Sequence, residues 1–382
     1  MLGKAGAANY YNAVTQGGLD NTGATSVTSG IGTAITYYKA NGYDGLYFPA
    51  GTYLLSTTLT VPAGTVMVGQ SQGSTWLKGA VSYTNDNDTT SAMTIGNSGT
   101  TTIISSTTGD TFTDVTFIGG GGSYNSGTQP MNSHVITIGP SATSNITFTR
   151  CTIGPNSGTY GDGTTGAGGA GLHNDNVFVV RNAGVTVEDI EFHACHFLYC
   201  PRMMCELWDA TYEEGLFTNI SFYDCTFELA ESEVIDYAGA AHSFVDNCTF
   251  RGQGSSNTAL WDNHIVTEGG STDITVTDNH FYMSEGAACG FTSGANTATG
   301  NHIDLSENPY SCTHDATSDF TVASDGNTIT GNTINHINNP SSYWAYITGG
   351  SNMVNYNTYS NCTAPGVYNS GSGNTITPNT HV

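Results

Sequence analysis

The amino-acid sequence predicts an all-β protein, a right-handed parallel β-helix solenoid with a short capping α-helix at its N-terminus. Two observations carry this prediction. The composition suits strands and turns, and a short phrase of alternating apolar residues recurs along the chain. We expect residues 1–382 to form a single β-helix domain, with a cap and lead-in over 1–44 and the solenoid rungs over 45–382.

The composition disfavours helices. Glycine accounts for 49 of the 382 residues, and charged residues make up only 10%, whereas ordinary globular domains contain about 25%. Helices draw mainly on Glu, Lys, Ala and Leu, and this chain is poor in Lys and Glu. Its abundant Thr, Ile, Val, Phe and Tyr favour strands, and its Gly and Asn favour turns. The chain should therefore consist mostly of strands and turns.

The recurring phrase predicts a solenoid of short strands. Looser copies of it begin near Asn296, Asn327, Asn352 and Asn374, and an early one runs through 112–117. A basic turn of about 22 to 25 residues, with insertions, explains most of the spacing. A turn this short cannot bury its own apolar face, so it must stack on copies of itself. Leucine-rich repeats would need Leu at fixed positions, and propeller blades would need about 40 residues, so the parallel β-helix remains. The five clearest copies are Ile146–Ile153, Ile190–Phe197, Ile220–Phe227, Ser243–Phe250 and Ile274–Phe281.

The sixth position of the phrase predicts a ladder of stacked side chains. Equivalent positions of a β-helix lie about 4.8 Å apart. At a bend, Asn tolerates the left-handed conformation and can bond the amides of its neighbours, and a small buried Cys fits the same position. Among the remaining cysteines, a Cys200–Cys205 or a Cys289–Cys312 disulfide is conceivable, but spacing alone cannot establish either. The ladder residues are Cys151, Cys195, Cys225, Cys248, Asn279, Asn301, Asn332, Asn357 and Asn379.

The N-terminal stretch carries a family resemblance. Its parts, in order, are Gly17–Thr22, an amphipathic helix with Ile31, Ile35 and Tyr38 on one face, Gly45–Tyr53, and Leu59–Gly69. This order resembles the opening of the pectate-lyase-like superfamily, in which a helix caps the solenoid and a Phe-Pro-x-Gly-Thr-Tyr strand starts it. Such a cap covers an otherwise exposed sheet end. The resemblance implies the fold. Polysaccharide lyases, glycoside hydrolases, sugar epimerases and phage tailspikes share this opening, so the function has to come from the site.

The charge balance excludes several classes of partner. Seven basic residues stand against 31 acidic ones, for a formal net charge of −24. Nucleic-acid binding needs clustered Lys and Arg, so it is excluded, and an anionic membrane surface is disfavoured for the same reason. No apolar run is long enough to span a bilayer, and the first eleven residues have no apolar signal-peptide core. Polyanionic substrates would be repelled unless a divalent cation bridged them, whereas neutral sugars meet no such penalty.

Carboxylates after the ladder position predict a catalytic column. If their rungs stack directly, Asp209, Asp236 and Asp262 lie along one face, and Glu206 and Glu233 add a second pair. Neighbouring carboxylates raise one another's pKa, which can produce one protonated acid and one ionised partner. Separations of about 5 Å for adjacent rungs and about 10 Å for alternate rungs bracket the geometries of retaining and inverting glycosidases. Alternatively, these acids form a solvated stripe or hold a structural cation. The candidate sugar-binding residues beside them are Trp208, Trp261, Tyr237 and Arg202.

The same residues favour glycoside hydrolysis over lyase chemistry. A lyase of this fold needs a Lys or Arg base, and only Arg202 lies near the acidic column. Polygalacturonase motifs are absent as well. The residues His264, His280, His302 and His314 do not converge in the pattern, so we expect no metal site and no required cofactor, with Ca²⁺ as the alternative.

Three hypotheses follow for the function. The first is a glycan-binding β-helix of the viral tailspike or adhesin type, extracellular or on a virion surface, which binds a poly- or oligosaccharide with or without hydrolysing it. It would be a homotrimer or assemble with neighbouring virion proteins. The second is a non-catalytic structural virion or surface protein, and the third a secreted glycoside hydrolase or polysaccharide lyase. The C-terminal rung, Asn374–Val382, is expected to be covered by a partner subunit.

Overall fold

The structure, a computed structural model, is an all-β parallel β-helix, as the sequence predicts. Within the described residues the chain forms three long sheets, called A, B and C here, in which every strand pair is parallel. Successive turns of the chain pass through A, then B, then C. The described residues are 8–57, 59–79, 90–95, 107–118, 133–139, 142–155, 175–181, 185–200, 203–208, 215–230, 233–253, 263–284, 286–304, 318–335, 343–362 and 366–382.

The three sheets contain 13, 13 and 11 strands in the described part of the chain. Sheet A consists of Tyr10–Asn12, Gly45–Phe48, Val66–Gly69, Thr107–Thr108, Thr111–Thr113, Thr143–Thr149, Val187–His193, Phe217–Tyr223, Ala240–Asp246, Thr272–Thr277, Thr297–Thr299, Thr328–Thr330 and Met353–Asn355. Sheet B consists of Thr22–Ser26, Gly51–Leu55, Thr75–Gly79, Thr116–Ile118, Thr152–Ile153, His196–Phe197, Thr226–Ala230, Thr249–Gln253, His280–Ser284, His302–Asp304, Thr333–Asn335, Thr358–Ser360 and Thr380–His381. Sheet C consists of Leu59–Val61, Thr90–Ile95, Ser133–Ile138, Val177–Val180, Cys205–Trp208, Ile235–Ala238, Ile265–Glu268, Cys289–Phe291, Phe320–Val322, Ala345–Ile347 and Val367–Asn369.

A single helix, α1 (Thr28–Ala40), is present in the described residues and packs at the N-terminal end. Its side chains Ile31, Ile35 and Tyr38 are buried, as the amphipathic pattern predicts. The hydroxyl of Tyr38 accepts a hydrogen bond of 2.7 Å from the backbone amide of Val66, in sheet A. The helix therefore covers the first rungs of the solenoid. No helix in the described ranges is both long and apolar enough to cross a membrane.

Stacked aromatic rings fill the interior. Equivalent positions of successive turns carry Phe, and their centroids lie between 4.6 and 4.9 Å apart, close to the strand spacing. All of these rings are at most 1% exposed, so each turn buries its apolar face against its neighbours. The two columns are Phe112–Phe148–Phe192–Phe222 and Phe197–Phe227–Phe250–Phe281.

The predicted ladder is confirmed at the bend between sheets A and B. The Asn279 side-chain oxygen accepts from the Cys248 amide at 2.7 Å, and the Asn301 oxygen accepts from the Asn279 amide at 3.0 Å. The same bond repeats down to Asn379. One detail of the prediction is wrong: the left-handed conformation belongs to the preceding residue, for example Asp278 with φ 53°. A second ladder, at the bend between sheets C and A, consists of Asn296, Asn327, Asn352 and Asn374.

The loop cysteines do not form the two disulfides that the sequence left open. Cys205 and Cys289 are buried free thiols, which removes one partner from each pair. Their positions are core positions in strands of sheet C. Cys312 lies outside the described residues.

Candidate functional site

The candidate site lies on the outward face of sheet C, where two carboxylates are neighbours. In strands Cys205–Trp208 and Ile235–Ala238, the residues directly before and after each carboxylate are fully buried in the core. Side chains alternate across a strand, so Glu206 and Asp236 lie on the opposite face. They are register partners in adjacent parallel strands, about 4.8 Å apart at the backbone. This is the carboxylate pair on which the site depends.

Glu206 and Asp236 face outward, and they and Glu233 are shielded from water. Glu206 is 2% exposed, Glu233 is 5% exposed and Asp236 is 7% exposed. Glu233 lies two residues before strand Ile235–Ala238, in the same turn as Asp236. A solvated surface stripe would leave such side chains open to water, so this arrangement differs from the simple alternative that the sequence allowed.

The carboxylates near this face raise the pKa of the buried Cys205 thiol. Burial raises the pKa of the Cys205 thiol well above its usual range, and the charges of Asp175, Glu206 and Asp236 raise it further. All three carboxylates are thus close enough to this thiol to affect its ionisation.

A second acidic element lies one turn nearer the N-terminus. Asp175 and His134 are both fully buried, and the distance from His134 Nδ1 to Asp175 Oδ2 is 3.3 Å. The other oxygen of Asp175 accepts from the Met203 amide at 3.3 Å. Sequence reasoning missed both residues. The signal that could have found Asp175 is the polar run 173–176, just before a strand of sheet C.

The predicted register of the acidic column is wrong. Asp236 pairs with Glu206 in one neighbouring strand and with Val266 in the other. Asp209 and Asp262 therefore do not supply its direct neighbours, and both lie outside the described residues. Arg202 and Trp261 also lie outside them. Trp208 ends a strand of sheet C.

Tyr237 does not contact the outward face. Its side chain is fully buried, and its hydroxyl donates a hydrogen bond of 2.9 Å to the Ile220 carbonyl of sheet A, across the interior. Burial raises the pKa of this hydroxyl well above its usual range. The predicted role of Tyr237 in sugar binding therefore conflicts with its place in the core.

No group of three or more His, Cys, Asp and Glu side chains in the described part of the chain is arranged to hold a metal ion. His264 is buried beside the stacked rings of Phe250 and Phe281, with centroids 5.4 and 5.6 Å from them, and burial lowers its pKa to about 3. The rings of His280 and His302 meet edge to face, with centroids 4.4 Å apart, in sheet B. His314 lies outside the described residues.

Comparisons with known proteins agree on the fold. The family model described as rhamnogalacturonase A/epimerase, pectate lyase-like matches residues 11–226. The lidless DFA-IIIase of Arthrobacter chlorophenolicus A6, solved in complex with GF2, superimposes with a TM-score of 0.62 at 13% identity, covering 98% of this chain and 99% of that one. No curated protein matches the sequence.

Two viral proteins are also similar in structure. Tailspike gp49 of Acinetobacter baumannii bacteriophage Fri1, a capsular polysaccharide depolymerase, has a TM-score of 0.56 at 12% identity, and the match covers 98% of this chain. ORF18 of Geobacillus virus E2 has a TM-score of 0.43 at 14% identity, over 97% of this chain. The chain spans 63% of the former and 57% of the latter, less than two thirds of either. At 12% identity the likeness to tailspike gp49 shows a shared fold.

Proposed function

The chain belongs to the pectate-lyase-like family of rhamnogalacturonase A and epimerases, and on that premise we propose that it binds a glycan along sheet C and hydrolyses it there. The observation that carries the proposal is the Glu206–Asp236 pair, placed in register on adjacent strands and withdrawn from water. The solved neighbours include a capsular polysaccharide depolymerase and DFA-IIIase, which supports a carbohydrate substrate.

The spacing of the pair supports a retaining mechanism. The backbones of the two residues lie about 4.8 Å apart, so their side chains can bring the two carboxyl groups to the separation of about 5–5.5 Å that retaining glycosidases use. One carboxylic acid would protonate the departing glycosidic oxygen while the other carboxylate attacks the anomeric carbon. Water, deprotonated by the first residue, would then release the sugar from the glycosyl ester and restore both groups. Two carboxylates this close favour a shared proton, which supplies the acid and the nucleophile together.

The charge of the protein favours a neutral glycan. A chain of uronates that approached Glu206 and Asp236 on a protein of net charge −24 would be opposed by Coulomb repulsion. A neutral glycan needs no cation bridge, so we propose that no cofactor is required. The hydrolysis rate should then survive EDTA. Activity that EDTA abolishes and Ca²⁺ restores would instead establish the calcium alternative.

The test is a glycan-array screen followed by a reducing-end assay of every glycan that binds. Glu206→Gln and Asp236→Asn should each lower the hydrolysis rate by about 10²–10⁴-fold, since each removes an acid, base or nucleophile. Binding should persist in both variants. The matched controls are Glu188→Gln and Asp246→Asn, whose side chains lie on sheet A and are only half-buried.

The outcomes separate the three hypotheses. Cleavage that both site variants retain would place the chemistry elsewhere. Wild-type binding without cleavage would indicate an adhesin. The absence of binding across a broad array would favour the structural virion or surface protein. Retention of anomeric configuration in the first product, observed by NMR, would support the spacing argument, and inversion would contradict it.

We further propose a virion or extracellular location and a homotrimeric assembly. Similar structures include a phage tailspike, which supports the location. Near the last rungs, Met353 is 40% exposed and Tyr356 is 66% exposed, and a neighbouring subunit would bury these apolar groups and the rung Asn374–Val382. Light scattering should give three times the chain mass of 39.9 kDa. A monomer at that mass would contradict the trimer.

A further inference from the structure

The outward face of sheet B carries a cluster of basic and aromatic side chains that the proposed function does not use. In three adjacent strands of this sheet, Phe250, Phe281 and Ile303 are fully buried. Side chains alternate across a strand, so the residues before and after each of these three lie on the outer face. That face is open to water, because Arg251 and His302 are exposed and the other members are half-buried. The cluster consists of Thr249, Arg251, His280, Tyr282 and His302.

Tyr282 fixes the position of the Arg251 guanidinium. The two residues are register partners, and Cζ of Arg251 lies over the Tyr282 ring, 5.4 Å from its centroid. The hydroxyl of Tyr282 and Nδ1 of His280 are within hydrogen-bond distance, at 2.7 Å, and the two rings are stacked with centroids 3.7 Å apart. An arginine is attracted to the face of an aromatic ring. The ring, itself held by His280, therefore restricts the orientations that the guanidinium can adopt.

The N–H donors of Arg251 are not used inside the described part of the chain, where its one contact is the ring of Tyr282. The acidic residue beside it in register is Glu228, whose carboxylate lies 3.0 Å from Nε2 of His196. Arg150 differs, because two hydrogen bonds of 2.8 Å tie its guanidinium to Asp114. Arg251 thus offers its donors to a molecule that approaches from solvent.

Positive charge is concentrated at this place on an acidic protein. Burial lowers the pKa of His280, the positive charges of His302 and Arg251 lower it further, and Asp304 raises it. The ring of His302 meets that of His280 edge to face, with centroids 4.4 Å apart. At physiological ionic strength, exposed charges more than about 8 Å apart are largely screened from one another. The local basic groups therefore decide what binds here, and the net charge of the whole chain does not.

We propose that this cluster is a second binding site, which takes the acidic group of a glycan: a carboxylate, sulfate or phosphate carried on a sugar ring. The planar fork of an arginine matches such oxyanions with paired N–H donors. The hydroxyl of Thr249, on the same face two residues before Arg251, supplies a further donor. The inference shares with the proposed function only the glycan as ligand. It concerns a different sheet from the carboxylates Glu206 and Asp236, which oppose an acidic glycan.

The test compares acidic oligosaccharides with their neutral counterparts. The probes are an oligogalacturonate, a sulfated galacto-oligosaccharide and a phosphorylated manno-oligosaccharide, with affinity measured by calorimetry on Asp236→Asn so that no probe is consumed. At least one acidic probe should bind about tenfold more tightly than its neutral counterpart, and Arg251→Gln should abolish this difference, equivalent to about 1.4 kcal/mol. Arg251→Lys, which keeps the charge and loses the fork, should retain only part of it.

Arg150→Gln is the matched control, because it removes the same charge from an arginine that Asp114 already occupies. It should leave the affinity for acidic probes unchanged. The urea midpoint of Arg251→Gln should equal that of its parent, since the side chain is exposed, and this result shows that the variant is folded. Equal losses of affinity in Arg251→Gln and Arg150→Gln would refute the site, because they would reflect net charge alone.

The remaining outcomes separate this site from the hydrolase. If no acidic probe binds, or if free sulfate or phosphate competes as well as the oligosaccharide, a glycan site at Arg251 is refuted and the hydrolase proposal stands. Acidic binding that Glu206→Gln abolishes and Arg251→Gln retains would place the ligand on sheet C and likewise refute the site. Binding that depends on Arg251 in a protein that cleaves no glycan would support the site and contradict the hydrolase alone.

Discussion

Replacing Asn301 by alanine tests whether the side-chain ladder holds the solenoid together. Asn301 is 1% exposed, and its side-chain oxygen accepts from the backbone amide and from Nδ2 of Asn279, both at 3.0 Å. Its own Nδ2 donates to the Val276 carbonyl and to Oδ1 of Asn332, both at 2.9 Å. The substitution removes four bonds from a site without access to water.

The cost depends on which groups lose their last partner. Oδ1 of Asn332 still accepts from the Asn301 backbone amide at 2.9 Å, and Nδ2 of Asn279 still donates to the Val245 carbonyl at 2.8 Å. The backbone amide of Asn279 loses the acceptor that the ladder gives it. One buried donor without a partner costs about 1–3 kcal/mol, and the lost side-chain bonds add to this, so the free energy of unfolding should fall by about 2–4 kcal/mol.

The assay combines urea unfolding with amide hydrogen exchange, since a solenoid can open locally. The Asn279 amide should exchange faster in Asn301→Ala by a factor that matches the lost free energy. Asn335→Ala is the control: Asn335 is only half-buried, and its bonds to Asp304, Ser360 and Asn361 are part-buried or exposed. It should cost less than about 1 kcal/mol. Equal costs for the two variants, with the Asn279 amide still protected, would refute the reasoning.

Three other perturbations test the interior. Phe192→Ala should lower the free energy of unfolding by about 3–5 kcal/mol, whereas Phe244→Ala, at a side chain 40% exposed, should cost less than about 1 kcal/mol; similar costs would contradict the inward assignment of Phe192. Burial lowers the pKa of His264 from 6.5 to about 3, so the unfolded chain binds a proton that the native chain does not, and stability should fall as pH decreases below about 6.5. His264→Gln should flatten that part of the profile of urea midpoint against pH, and an unchanged profile would contradict the assignment. Burial raises the pKa of Asp110 from 3.8 to about 6, so the native chain binds the extra proton and stability should fall as pH rises between these values; Asp110→Asn should remove this fall, and a profile that keeps it would refute the assignment.

The fold and the ladder could be predicted because the bend between sheets A and B has a constant length. The phrase that spans this bend, such as Ile220–Phe227, keeps its spacing from turn to turn, so its apolar and ladder positions align directly. The sequence prediction assigned the left-handed conformation to the ladder residue, one position after the residue that adopts it. Both Asn and the residue before it suit a bend, and only the backbone distinguishes them: φ is positive at Asp278 and Gly300 and not at the ladder asparagines that follow them.

The register of the site could not be predicted in the same way, because the chain between sheets B and C varies in length. Glu206 lies eleven residues after Cys195, and Asp236 lies eleven residues after Cys225, so equal spacing would have paired them. In the next turn Val266 lies eighteen residues after Cys248. Asp209 and Asp262 lie fourteen residues after Cys195 and Cys248, so the count from the ladder does not align them with Asp236.

The same short strands of sheet C supply the site from their outward face and the core from their inward face. In Cys205–Trp208 the first and third residues pack inside while Glu206 lies outside, so a shift of one residue would carry the carboxylate into the core. Which residues of a sheet C strand face inward must therefore be fixed by parts of each turn that do not vary. The asparagine ladders and the phenylalanine columns are such parts. Each turn contacts mainly its neighbours. Loops of different length can consequently be inserted before sheet C, beside Glu206 and Asp236, without disturbing the stacking that holds those carboxylates in register.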